Sequence, residues 1–384
     1  MEFGSLKVNI NPIQAVKQCG FIQQVQPILD VHDDLYLRLA LIKNQDKHLI
    51  YASLDNIGLS ETQSDTFQRI AKEKFGEDTA TLISCTHTHF GGDPKDEVYG
   101  AQLIEAFRLA LDTVHPHDVG EITYAYRRRP FNGIGNSRIS GHDAFVLLET
   151  FSLYAENHRI ATFVIHNVHP TIMNGYTPFF SSEYPGMFLK LCSVSCPGEF
   201  FTFMQGADGD VSTRFVRKEQ SYDEVRRLAS ILHDEVEAML KEEVELSPFD
   251  FEFDETEIPL QHEFIDPDTR SQGEALTPRE LETIEYGRKV LERLRANENL
   301  LPKTMKIQRL RFPGYIQVFA QNELFSEYIE ALPEGKASLI CYTQGTRPYI
   351  TGLRPVRLTY ELFSDTLTTK SKQLLFDTLY QLTH

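Results

Sequence analysis

Two histidines separated by a single residue follow an apolar stretch in the first quarter of the chain. The segment 81–93 reads TLISCTHTHFGGD, which places His87 and His89 where a predicted strand ends. Residues two apart on a strand point to the same face, so the two imidazoles could converge on one point, and histidine is a common zinc ligand. The spacing alone is weak support. His115 and His117 share it in a predicted loop with no preceding strand, and we interpret that pair as structural.

Two further apolar stretches end in residues that could reach the same point. The segment 161–187 contains His166 and His169. Residues three apart do not share a strand face, so we expect one ligand from this pair. His169, at the strand end, is better placed, and His166 is expected to be a core or supporting histidine. The segment 203–215 breaks into a turn of small residues around Ser212. Such a turn can present backbone N–H groups to a ligand, although an ordinary Gly/Asp turn is the simpler interpretation.

Strands and helices alternate along the whole chain. Short apolar runs and apolar alternation predict strands near residues 36–43, 48–54, 80–86, 121–127, 143–154, 159–166, 200–205, 247–260, 305–312, 314–320 and 338–343. Helical periodicity predicts helices at 61–74, 98–113, 183–193, 222–240, 277–297, 322–332 and 366–382. This order indicates an α/β fold with mixed β-sheets flanked by helices. We expect a single domain over residues 1–384, with the polar stretch 262–276 as an exposed loop or lid.

The overall composition argues against several classes of protein. A net charge of −17 disfavours nucleic acid or an anionic membrane surface as a partner. No segment approaches eighteen consecutive apolar residues, so we expect no transmembrane helix. The start of the chain lacks the features of a secretory signal, although residues 1–5 could be vector-derived and a native leader could have been removed. Five scattered cysteines, an odd number, favour a reducing compartment, and hence the cytoplasm.

Taken in order, the motifs resemble those of the catalytic domain of the neutral (non-lysosomal) ceramidases and their short bacterial relatives. That family has a THTHSGP-like motif, an HPT motif and a GDVSPN motif at three strand ends. This chain has THTH at 86–89, HPT at 169–171 and GDVS at 209–212. Weaker matches are DDLY, SLD and NSR at 33–36, 53–55 and 136–138. The resemblance runs from about Leu6 to the final helix. Larger members also have a secretion signal and a C-terminal β-sandwich domain, which this sequence lacks, so it resembles the short members.

The resemblance implies a zinc ion bound by two histidines, a glutamate and a tyrosine. The histidines correspond to His87 and His169. The glutamate follows an apolar strand in the family, and here Glu323 follows the predicted strand 314–320, although the two residues before it differ from the family's Pro-Gly. The tyrosine corresponds to Tyr349 by order and spacing.

The resemblance also implies roles around the zinc. His89, Arg138 and Tyr360 match residues that surround the ion and would stabilise the oxyanion formed at an amide carbonyl. His89 could also protonate the departing amine. Ser212 matches a serine that is essential in the family. We interpret it as a contact to a substrate hydroxyl rather than a nucleophile, because no general base is evident beside it in the sequence.

These matches imply a zinc-dependent hydrolase that cleaves an N-acyl amide bond with a metal-activated water, acting on a small or lipid-like amide. Residues 90–93 and 213–214 depart from the family's motifs where a substrate would lie, which puts ceramide itself in question. Two alternatives stay open. One is a zinc hydrolase of an ester or a small cytoplasmic metabolite. The other is a non-catalytic descendant that binds a lipid or a partner protein. The sequence leaves open the oligomeric state and the identity of the metal.

Overall fold

A computed structural model describes residues 1–22, 24–45, 47–264, 266–267, 278–345 and 348–384, except for the side chains of residues 279 and 280. The greater part of the predicted loop at 262–276, residues 265 and 268–276, lies outside these ranges. Among the described residues, no helix has both the length and the apolar character needed to cross a bilayer.

The first sheet carries the strand that leads to His87. Its strands are β1 (Glu2–Asn9), β2 (Tyr36–Asn44), β3 (Lys47–Leu54), β4 (Thr79–Cys85) and β5 (His117–Asp118), in the order β4-β3-β2-β1-β5. β3 and β4 are parallel, and the other pairs are antiparallel. All seven residues of β4 are buried, including the polar Thr79, Thr81 and Ser84. Residues 2–5, which could be vector-derived, are hydrogen-bonded into this sheet. The helices that follow β3 and β4 are α1 (Glu61–Phe75) and α2 (Glu97–Thr113).

The second sheet carries His169 and the segment around Ser212. It consists of β6 (Ile122–Pro130), β8 (Leu147–Ala155), β9 (His158–His166), β10 (Phe200–Gln205) and β12 (Ser247–Pro248), in the order β10-β9-β8-β6-β12. Two short strands, β7 (Asn136–Ser137) and β11 (Val211–Ser212), pair separately. Helices α3 (Glu183–Ser195) and α4 (Tyr222–Leu240) contact each other and this sheet. The Ser221 side chain accepts a hydrogen bond from the backbone N–H of Glu224 and thereby caps α4.

The third sheet leads to Glu323. It consists of β13 (Glu252–Pro259), β14 (Thr304–Phe312), β15 (Tyr315–Ala320) and β17 (Ala337–Ile340), in the order β13-β14-β15-β17. Beyond it, β16 (Glu323–Leu324) pairs in parallel with β18 (Tyr349–Ile350). The remaining helices are α5 (Pro278–Ala296), α6 (Tyr360–Ser364) and α7 (Thr369–Thr383), and short 3₁₀ helices span Glu298–Leu300 and Ser326–Ala331.

One apolar cluster joins the three sheets. It includes Tyr51 from the first sheet, Phe163 from the second and Phe319 from the third, each at most 1% exposed. A buried hydrogen bond from the Tyr51 hydroxyl to the Gln317 side chain (2.7 Å) ties the first sheet to the third. Because the sheets share this core, the strand ends that carry the candidate site residues are held at fixed positions relative to one another.

Strands and helices alternate as predicted, and the mixed sheets with flanking helices confirm the predicted fold class. The predicted helix at 322–332 is wrong. Residues 323–324 form β16, and only Ser326–Ala331 become helical, as a 3₁₀ helix. The apolar spacing there resembles a helix, but pairing with β18 outweighs that local preference. The predicted strand at 247–260 is two strands, and the last predicted helix is preceded by α6.

Candidate metal centre

Three histidine side chains meet at one buried point. The Nε2 atom of His87 lies 3.1 Å from that of His169 and 3.3 Å from that of His89. The Nε2 atoms of His169 and His89 are 3.0 Å apart. All three residues are buried. Zinc–nitrogen bonds of about 2.0–2.1 Å in tetrahedral geometry separate two ligand atoms by roughly 3.3–3.4 Å. The three imidazoles therefore have nearly the spacing that one metal ion requires, and the group could hold a metal.

A sharp backbone turn, rather than strand alternation, brings His87 and His89 together. β4 already ends at Cys85, and His87 adopts a positive φ of 62°. That conformation costs an ordinary residue roughly 1–2 kcal/mol, so the surrounding contacts must hold it. One of these is a hydrogen bond from Nδ1 of His87 to the carbonyl oxygen of Ile57 (2.7 Å). Because a carbonyl oxygen can only accept, Nδ1 carries a proton, and Nε2 faces the cluster.

A buried carboxylate orients His169. Nδ1 of His169 lies 3.0 Å from Oδ2 of Asp208, and Asp208 also accepts hydrogen bonds from Gln205 and from the Tyr342 hydroxyl. Burial opposes ionisation of Asp208, but the neighbouring histidines outweigh it and lower the pKa of its carboxyl. A carboxylate hydrogen-bonded to a histidine in this way is the usual support of a metal-binding imidazole. The Tyr342 ring stacks on His87, with centroids 3.8 Å apart.

Sequence reasoning missed Asp208 and Tyr342. Asp208 lies inside the turn that drew attention to Ser212, so the available signal was an acidic residue shortly after a predicted strand end. Tyr342 belongs to no recognisable sequence motif. Its position over His87 depends on where β17 ends relative to β4, which no local pattern records.

Glu323 and Tyr349 are brought together by strand pairing. They are direct register partners in the parallel pair of β16 and β18. Oε1 of Glu323 lies 2.9 Å from Nε2 of His87. Oε2 of Glu323 is buried and has no hydrogen-bond partner among the described residues. Buried polar atoms are rarely left without a partner, so an unpartnered carboxylate oxygen beside three imidazoles fits a site for a cation.

The charges of these groups also suit a cation. Burial opposes ionisation of Glu323, but the contact with His87 outweighs it and lowers the pKa of Glu323, so this carboxyl is ionised. Burial and the neighbouring imidazoles of His87 and His169 hold the pKa of His89 well below its usual value, so His89 is neutral. Burial, followed by the nearby carboxylate of Glu323, raises the pKa of Tyr349 well above its usual value.

The other predicted site residues line a cavity of about 800 Å³ next to the cluster. Arg138 donates to the Tyr349 hydroxyl (3.3 Å) and pairs with Glu361 (3.2 Å). Ser212 is bridged to His169 through the backbone, and the Tyr360 ring stands perpendicular to that of Tyr349, with centroids 6.1 Å apart. The predicted residues in the lining are His89, Arg138, Ser212, Tyr349 and Tyr360.

A glycine lets two of these segments approach closely. A Cβ atom on Gly209 would lie 3.0 Å from the carbonyl oxygens of both Glu323 and Leu324, and the Gly209 N–H donates to the Leu324 oxygen (2.9 Å). The GDVS turn and the strand that carries Glu323 are thereby held in contact, and a larger residue would force them apart.

The histidines predicted to lie outside the site do lie outside it. His166 is buried, and its Nδ1 bonds to the carbonyl oxygen of Leu147 (2.6 Å) rather than joining the cluster. His115 and His117 are exposed. The structure therefore brings His169 but not His166 to the cluster. The pair at 115–117 lies at the surface.

Two solved structures share this fold over 99% of the chain. One is described as a ceramidase complexed with C2, with a TM-score of 0.77 and 13% sequence identity over 74% of that chain. The other is neutral ceramidase from Pseudomonas aeruginosa, with a TM-score of 0.76 and 14% identity over 73% of that chain. No protein-family model matches the sequence, and no curated protein matches it. The chain thus has the fold of the neutral ceramidases, as its motifs predicted.

Proposed function

We propose that the protein is a zinc-dependent hydrolase that cleaves an N-acyl amide bond. In this proposal His87, His169, Glu323 and Tyr349 hold the ion. The observation that carries it is the approach of the Nε2 atoms of His87 and His169 to 3.1 Å, beside an ionised carboxylate of Glu323 with an unpartnered oxygen. Neutral imidazoles and a carboxylate are typical ligands of catalytic zinc.

The position of His89 suggests a role different from those of the other two histidines. His89 lines the cavity, whereas His87, His169 and Glu323 do not. A bound zinc ion would supply Lewis acidity and lower the pKa of a water molecule towards about 7. His89, held neutral by burial, can accept a proton from the attacking water and pass it to the departing amine.

Arg138 and Tyr360 would stabilise the oxyanion. The Arg138 guanidinium is fixed by Tyr349 and Glu361, so it can donate to a carbonyl oxygen without reorganising as negative charge develops. Removing one such donor typically raises the barrier by about 2.7–4 kcal/mol. We assign Ser212 to a contact with a substrate hydroxyl. A covalent acyl adduct on Ser212, detected by mass spectrometry, would overturn that assignment.

The metal content of the purified protein tests the proposal. Close to one zinc per chain is expected, and His87→Ala and His169→Ala should each lose most of it. The double variant His115→Ala/His117→Ala is the matched control, because it removes a His-x-His pair of the same spacing from the surface. A metal-free wild-type protein, or metal retained in both site variants, would contradict the proposal and favour a non-catalytic binding protein.

A hydrolysis assay tests which type of bond the protein cleaves. Matched amide and ester substrates with the same acyl group should separate an amidase from an esterase, because the same site could serve either.

We also propose a cytoplasmic location, which is compatible with the five free cysteines.

A further inference from the structure

A loop near the start of the chain packs directly on His89. The backbone N–H groups of Val16 and Ile28 each donate to the other residue's carbonyl oxygen (3.0 and 2.9 Å) and close this loop. Gly20 and Phe21 within it line the cavity beside the candidate metal centre. A Cβ atom on Gly20 would lie 2.6 Å or less from the Cα, Cβ and Cγ atoms of His89. The loop backbone therefore approaches His89 more closely than any residue other than glycine would allow.

One side chain ties this loop to the turn that carries His89. Oε1 of Gln24 accepts hydrogen bonds from the backbone N–H groups of Gly20 (2.8 Å) and Phe21 (2.7 Å). Nε2 of Gln24 donates to the carbonyl oxygen of His89 (3.0 Å). Each of these bonds satisfies a backbone group, so the amide of Gln24 sets the distance between the loop and the turn. Gln24 itself is not among the described residues that line the cavity.

Two aromatic rings complete the contact. The Phe21 ring meets the His89 imidazole edge to face, with centroids 4.8 Å apart. It also packs on the Phe90 ring, with centroids 5.5 Å apart, and Phe90 is fully buried. Aromatic rings favour such tilted and edge-to-face arrangements. Phe90 is one of the residues at 90–93 that depart from the family's motif, so this departure supplies a surface on which Phe21 packs.

The other two clustered histidines are oriented by different means. Nδ1 of His87 bonds to the carbonyl oxygen of Ile57 (2.7 Å), and Nδ1 of His169 lies 3.0 Å from the Asp208 carboxylate. For His89 the loop supplies the corresponding support, through the backbone carbonyl and through packing against the ring. The loop is thus placed to control the position of the one clustered histidine that lines the cavity.

We propose that Gln24 and Phe21 are positioning residues that hold the His89 imidazole in place for proton transfer. This inference rests on the proposed hydrolase function, in which His89 passes a proton to the departing amine. A displacement of about 1 Å in a catalytic group can slow a reaction by about 100-fold. Because Gln24 does not line the cavity, its replacement should slow the proton transfer without removing a contact to the substrate.

Leaving groups that differ in their need for a proton test this role. An alkylamine must be protonated as it leaves, whereas p-nitrophenolate leaves as an anion. Gln24→Met keeps the size of the side chain and removes its hydrogen bonds. We expect it to lower kcat for N-decanoylglycinamide about 10- to 100-fold, with KM changed less than about threefold. For p-nitrophenyl decanoate, which has the same acyl group, kcat should fall no more than about threefold.

Gln102→Met is the matched control. Gln102 on α2 also accepts from a backbone N–H, that of Ile13 (3.4 Å), and donates to a carbonyl oxygen, that of Asn11 (2.7 Å). It lies outside the described lining of the cavity, and its kcat on both substrates should stay within about threefold of the wild type. Equal losses on amide and ester in Gln24→Met, no loss on either, or the same loss in both variants would overturn the positioning role and leave the hydrolase proposal standing.

Chemical labelling tests the contact independently of activity. His89 is 8% exposed, so diethyl pyrocarbonate should modify it slowly in wild-type protein freed of metal by a chelator. Gln24→Met and Phe21→Leu should each raise the labelling rate of His89, followed by peptide mass spectrometry, at least about tenfold. The exposed His115 and His117 should react at the wild-type rate in all variants.

The two experiments separate the two proposals. If no amide is cleaved, the hydrolase proposal fails by itself, and the labelling rate decides whether the loop holds His89. A labelling rate of His89 that stays at the wild-type value in both variants would overturn the positioning role.

Discussion

Replacing Asp208 by asparagine is expected to weaken zinc binding by about 10- to 100-fold, or roughly 1.4–2.7 kcal/mol. Three donors surround this carboxylate, namely the His169 imidazole, the Gln205 amide and the Tyr342 hydroxyl. An asparagine keeps the shape, but its NH₂ group must face one of these donors. The substitution therefore removes the charge that supports His169 and disturbs the hydrogen bond that selects its tautomer.

Asp210→Asn is the matched control for this experiment. Asp210 is a second fully buried aspartate in the same turn. Its carboxylate accepts from the backbone N–H and the hydroxyl of Ser326 (2.6 and 2.9 Å) and contacts His142, but none of the three clustered histidines. A general loss of packing in the turn would affect both variants, whereas a loss of support for His169 would affect only Asp208→Asn.

Zinc affinity can be measured by competition with a chromophoric chelator, alongside thermal unfolding of each variant. We expect Asp208→Asn to lose affinity by the stated factor and Asp210→Asn to stay within about threefold of the wild type. Unchanged affinity in Asp208→Asn, or an equal loss in both folded variants, would refute the support role.

Three further predictions concern stability and the site. Burial raises the pKa of the Glu183 carboxyl from 4.5 to about 7, so its contribution to stability is full below about pH 4.5 and is lost as the pH rises through 7. Between pH 5 and 8 the unfolding free energy should therefore fall by up to about 3 kcal/mol more in the wild type than in Glu183→Gln, and equal pH slopes in urea unfolding would contradict this. Gly209→Ala should cost about 1–3 kcal/mol of stability and weaken zinc binding, because the new methyl group would press on the Glu323 backbone; retained stability and affinity would show that the turn can move. Leu228→Ala in α4, at a fully buried position, should cost about 2–5 kcal/mol without changing the zinc content measured below the unfolding temperature, and a loss of metal in the folded variant would mean that the site depends on the packing of α4.

Most of the fold and much of the site could be predicted because they depend on local patterns. β4 is a short, fully buried strand that ends before two histidines, and α4 has one apolar face and a serine cap. The order of the motifs around His87, His169 and Ser212 then indicated a known architecture, which the structural comparison confirms. Their roles as ligands and catalytic groups stay predictions.

Other features were decided only in three dimensions. The sequence by itself determined which strands end in histidines, but the convergence of His87 and His89 depends on a left-handed backbone conformation that tertiary contacts stabilise. The segment after β15 has the spacing of a helix, yet pairing with Tyr349 makes Glu323 part of a strand. Asp208 reaches His169 where the neighbouring strands β10 and β9 end, and Tyr342 reaches His87 from a different sheet. Periodicity records only the neighbours of a residue along the chain, whereas these positions are selected by the free energy of packing and hydrogen bonding between segments far apart in sequence.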